Sequence, residues 1–165
     1  MKRIKTYTEI NESTIMDKVL NYKISEIDVK GILGTMKENK LSMKNLNKIV
    51  LNLYNFSKYA GVEVEDIEEI LELALTQGVD VNIIDDDGYS LLVNSLFISE
   101  EAIKIVLRRN PILYSSSSDG DIFEYVSDCG RNPRYKDMLT TALEEINPLN
   151  YQTFKRDKKA KKFNL

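Results

Sequence analysis

From Ser42 onward, apolar side chains return at a spacing that an α-helix buries on a single face: Leu46, Ile49, Val50 and Leu53 stand at i, i+3, i+4 and i+7. Ser42 is a good N-cap, so the pattern predicts a helix that begins there and ends near Tyr59 to Gly61. A second helix is predicted from about Glu65, with Ile67, Ile70, Leu71 and Ala74 facing inward. It stops at Gly78, where a residue without a Cβ adopts the left-handed terminal conformation cheaply. The two together make a helical hairpin.

Ser99, Glu100 and Glu101 open another helix through Ile103, Val106 and Leu107. Arg108 and Arg109 favour the dipole at its end, and Asn110-Pro111 stops it. Residues 13–22 and 25–37 predict two shorter helices, the second weakened by Gly31 and Gly34. Val79 to Ile84 reads as a loop, because Asp80 and Asn82 interrupt its few apolar residues. Glycine and proline, 7 and 3 copies in 165 residues, fall mostly between these patterns, and the fold class expected is all-α.

No run approaches the roughly 18 apolar residues a membrane span needs, and the first residues lead into no apolar signal segment. One cysteine, Cys129, makes no intramolecular disulfide, which suits a reducing cytoplasm. The net charge of −3 is unevenly spread. Lys155, Arg156, Lys158, Lys159, Lys161 and Lys162 crowd the final residues against Asp157 alone, so the rest of the chain is acidic. An acidic body does not suit nucleic acid, except through the basic tail, and suits a basic protein partner better. That tail, 148–165, reads as a frayed, solvated terminus, with Tyr151, Phe154 and Phe163 the residues available to dock it.

The segment Gln77-Gly78-Val79-Asp80-Val81-Asn82, followed by Asp86-Asp87-Gly88-Tyr89-Ser90-Leu91-Leu92, resembles the junction between two ankyrin repeats. Val79 replaces the family's alanine, Ser90 its threonine, Leu91 its proline and Val93 its histidine, although Ser90 retains a capping hydroxyl. Asp119-Gly120 follows Asp87-Gly88 at 32 residues, close to the ~33-residue ankyrin period. After it Ile122, Phe123 and Val126 would begin an inner helix. Tyr135, Met138, Leu139, Ala142 and Leu143 would form the outer one, beyond a loop carrying Asn132-Pro133. The resemblance implies a short stack of degenerate, ankyrin-like helical hairpins over 42–147, with 1–41 as an N-terminal helical cap.

Histidine is absent, which removes Ser-His-Asp and Cys-His nucleophiles, histidine metal ligands and the commonest general base. Cys129 lies beside Asp128, whose charge opposes thiolate formation, and reads as packing. The glycines of Gly31-Ile32-Leu33-Gly34 enclose apolar residues where a phosphate-gripping loop wants cations. Asp85, Asp86 and Asp87 lack the alternating oxygen ligands of a calcium loop, Ile83 and Ile84 taking two of the places. No catalytic, cofactor-binding or metal-binding residues are therefore assigned, and the chain is expected to be no enzyme. Glu65, Glu68, Glu69 and Glu72 read as a solvated helix face.

In ankyrin proteins the loop tips and inner helices line a binding surface. The resemblance implies that here it presents Asp85, Asp86, Asp87 and Tyr89 beside Asp119, Asp121, Glu124 and Tyr125. Acids interleaved with tyrosines suit a basic protein: charge steers the encounter and the rings supply the desolvated contact. The function expected is an immunity-type inhibitor covering a basic toxin or nuclease. The alternatives are a phage-encoded inhibitor of a host defence protein and a structural subunit of a larger assembly.

Overall fold

The computed structural model describes residues 29–59, 61–113, 121–128 and 133–162. The helix predicted over 13–22, together with Tyr114, Asp119, Gly120, Cys129, Asn132 and Phe163, lies outside the described residues. Among these residues the protein is all-α and has no strand; Ile84 and Ser90 form an isolated antiparallel bridge. None of these helices is long and apolar enough to cross a membrane. The chain divides into two compact units between Ile83 and Ile84.

In the first unit, α1 (Val29–Lys37), α2 (Met43–Leu51) and α3 (Leu53–Tyr59) each pack against α4 (Val64–Thr76). Ile32, Met36, Ile49, Leu53, Phe56, Ile67, Ile70 and Leu71 fill the space between them, so α1 shares its core with the hairpin. Ser42 caps α2 as expected, accepting from the Asn45 N–H at 3.4 Å. The single helix predicted from Ser42 to about Tyr59 is instead broken at Asn52. That side chain donates back to the Lys48 carbonyl at 2.8 Å, the local competition with helix bonding that asparagine offers.

Gly78, at φ +99°, ends α4: its N–H reaches the Leu75 carbonyl and the Val79 N–H reaches that of Ala74, the paired bonds of a Schellman motif. Asn39, at φ 53°, closes α1 in the same way, and Gln77 Nε2 donates to the Met36 carbonyl at 2.6 Å, tying the two helix ends together. Of the glutamate stripe on α4, Glu69 pairs with Lys37 at 2.7 Å, both side chains about half exposed.

In the second unit, α5 (Leu91–Leu96) and α6 (Glu100–Leu107) form a hairpin, and α8 (Pro133–Ile146) packs on α6. The remaining helices, α7 (Ile122–Asp128) and α9 (Pro148–Lys162), pack on α8. Every residue of α5 is buried. Ser90 and Ser99 cap α5 and α6, accepting from the N–H groups of Val93 and Ala102. Lys104 bridges Glu100 on its own helix and Glu145 on α8. Its hydrogen bonds to those carboxylates, Glu145 first, hold its pKa above 10.5.

The tail read as frayed is largely the helix α9. Asn147 accepts from the Asn150 N–H at 3.4 Å as a cap, and Pro148 takes the first helical position, where its missing N–H is no loss. Phe154 is buried, with its ring 5.5 Å from that of Phe123 on α7, and Tyr151 stacks on the same phenylalanine at 5.6 Å. Burial of that aromatic face outweighs the like-charge repulsion of the lysines, of which Lys155 lies over the Tyr151 ring at 4.0 Å.

Candidate functional site

The loop from Ile84 to Ser90 is organised by one carboxylate. Asp85 Oδ1 accepts from the Tyr89 N–H at 2.8 Å and the Asp87 N–H at 3.1 Å, while Oδ2 accepts from Asn94 Nδ2 at 2.9 Å. Asn94 lies on α5 and is 8% exposed, so the loop is bolted to the helix that follows it. Backbone bonds from Asp85 to Tyr89 and from Gly88 to Asp85 close the turn, with Gly88 at φ +84°. Asp86 and Asp87 ride on this frame with their side chains exposed. The polypeptide thus holds two carboxylates in water next to a third that is consumed internally.

Tyr89 leaves the loop half-buried, and its ring meets that of Tyr125 on α7 at 5.4 Å and an interplanar angle of 57°. The resemblance put these two tyrosines side by side, and here they form one aromatic pair. Asp121 and Glu124, by contrast, serve the chain itself. Asp121 is 5% exposed; its Oδ1 accepts from the Phe123 and Glu124 N–H groups at 2.8 and 3.0 Å, while Glu124 Oε2 accepts from the Asp121 N–H at 3.4 Å. That reciprocal arrangement is a capping box at the start of α7.

Lys158 of α9 completes it, with Nζ 2.5 Å from Asp121 Oδ2 and 3.2 Å from Glu124 Oε1. The hydrogen bond that Lys158 donates to Asp121, followed by the one it donates to Glu124, raises its pKa above 10.5 against the opposing effect of burial. One of the two negative charges expected at this point is therefore offset by a cation from a segment read as a loose tail. Lys158 and Asn94 carry no motif of their own, whereas the Asp-x-x-Glu spacing of Asp121 and Glu124 is a visible helix-start signal.

Of the residues expected to meet a partner, the structure brings Tyr89 and Tyr125 together and exposes Asp86 and Asp87 on the loop before them. It binds Asp85, Asp121 and Glu124 into the framework, and Asp119 lies outside the described residues. Chemically this face offers two solvated carboxylates and an aromatic pair, groups that bind by charge and contact. No protein-family model, curated protein or solved structure matches the chain.

Proposed function

We propose that the chain is a non-enzymatic protein-binding module of ankyrin-like build that acts as an immunity-type inhibitor, covering the positive site of a basic toxin or nuclease. The observation that carries the reading is the loop itself. Asp86 and Asp87 stand exposed on a turn fixed by Asp85, and the Tyr89–Tyr125 pair lies in the same unit. Rigidly presented charge lowers the entropy lost on binding, and aromatic rings supply the contact that slows dissociation.

The test begins with the cationic protein that the chain retains from its own cells. Reversal of Asp86 and Asp87 to lysine is expected to leave the helical circular dichroism and melting temperature nearly unchanged while abolishing binding of that protein. Wild-type association is expected to slow as salt rises. Equal binding by D86K/D87K would remove the proposal.

A structural subunit is the second reading, favoured by the exposure of Ile112 at 60% and Leu149 at 75%. Sedimentation separates the two, because a subunit self-associates at micromolar concentration and an inhibitor stays monomeric until its partner is added.

A further inference from the structure

Five of the six cations of α9 fall into two groups, Lys161 lying on neither side. Lys158 turns toward Asp121 and Glu124 and fastens the helix to α7. Lys155, Arg156, Lys159 and Lys162 are exposed, Lys155 with Nζ 4.0 Å over the Tyr151 ring and Arg156 with Nε 3.4 Å from Asp157 Oδ1, and at 3.6 residues per turn they share about a third of the helix circumference along roughly 10 Å of its length. Helix stability does not ask for all of them. Lys159 and Lys162 complement the dipole in the last turn, but Lys155 and Arg156 lie mid-helix, and Lys155 and Lys159 repel each other four residues apart.

We propose that this outer stripe binds the phosphate backbone of nucleic acid, as a second surface separate from the acidic loop. The make-up of the face selects the partner. A membrane-lying helix needs an apolar face to insert, and the aromatic side of α9 is committed to Phe123 through Phe154 and Tyr151. A protein interface needs a desolvated apolar or aromatic centre, but the exposed residues between Gln152 and Lys162 are all polar or charged. Leu149, exposed in the first turn, precedes the stripe by six residues. A face of cations without an apolar centre gains affinity by releasing counterions from a polyanion, which phosphates supply at high density. Charges in the acidic remainder of the chain act at short range only, since screening sets in within about 8 Å at physiological salt.

The experiment measures fluorescence anisotropy of labelled oligothymidylate titrated with the full chain over a salt series. Four phosphate contacts on a single strand give a log–log slope near −0.7 per contact, so affinity is expected to fall about fifty-fold between about 50 and 200 mM salt. R156Q/K159Q/K162Q is expected to reduce the slope to about a quarter of its wild-type value with unchanged circular dichroism, whereas K30Q/K44Q/K136Q, removing as many exposed cations elsewhere, leaves most of it. Should the triple variant unfold, K159Q alone is expected to lower the slope by about one contact.

Four results overturn the proposal: no binding of oligothymidylate at the lowest salt, equal losses in the two triple variants, tighter capture of polyglutamate, or tighter capture of phosphatidylserine vesicles.

Discussion

Asp85 is the residue whose loss most directly tests how the loop is held. In Asp85→Ala three hydrogen bonds to an ionised acceptor disappear, from the N–H groups of Tyr89 and Asp87 and from Asn94 Nδ2. The Asp87 N–H is exposed and regains water, so it contributes little. The Asn94 amide, on a residue 8% exposed, is left without its acceptor at about 1–3 kcal/mol, and the part-buried Tyr89 N–H adds about 1 kcal/mol. The sum is about 3 kcal/mol. For a chain of this length that lowers the melting temperature by about 9 °C. Thermal unfolding followed by far-ultraviolet circular dichroism, with urea unfolding for the free energy, measures it. Asp85→Asn keeps an acceptor without the charge and is expected to fall between wild type and Asp85→Ala. Asp86→Ala and Asp87→Ala stay within about 0.5 kcal/mol of wild type. An Asp85→Ala protein no less stable than Asp87→Ala would refute the reasoning.

Asp121→Ala removes the cap of α7 and the partner of Lys158, an ion pair partly screened by water, and is expected to cost about 2 kcal/mol by urea titration. Because bonding raises the Lys158 pKa in the folded chain, the stabilisation is complete below the ordinary value of 10.5 and is lost as pH climbs through the raised value. Lys158→Met should therefore flatten the alkaline limb of a stability-against-pH curve and leave its shape at pH 6 to 9 unaltered. Gly88→Ala places a Cβ in open space but at φ +84°, so a loss of about 1 kcal/mol from backbone strain alone is expected in the same titration. Phe154→Ala is expected to cost about 3 kcal/mol and to speed amide exchange across residues 148–162 before any other helix.

The helices whose apolar residues recur at regular spacing were legible in the sequence, from Leu46-Ile49-Val50 to Leu139-Ala142-Leu143, because burying one face is a local property. Ser42, Gly78, Ser90 and Ser99 also marked helix ends correctly. Asn52 was missed because the apolar pattern runs straight through it, and the break depends on where its amide donates. The tail was misread because its lysines dominate its composition, while its helix depends on Phe154 and Tyr151 finding Phe123 in a distant segment. The Asn147-Pro148 start was there to be read. At the candidate site the sequence showed which acids exist but not which are consumed: the roles of Asp85 and Asp121 depend on Asn94 and Lys158, nine and 37 positions away.

The central claim, that Asp86 and Asp87 meet cations of a protein partner, is tested most directly by a charge swap. With the partner's contacting lysines and arginines found by cross-linking, binding is measured for D86K/D87K against the wild-type partner and against the partner with those cations changed to glutamate. Loss in the first pairing and recovery in the second is the result predicted. Undiminished binding in the first, or none in the second from two folded proteins, would contradict it.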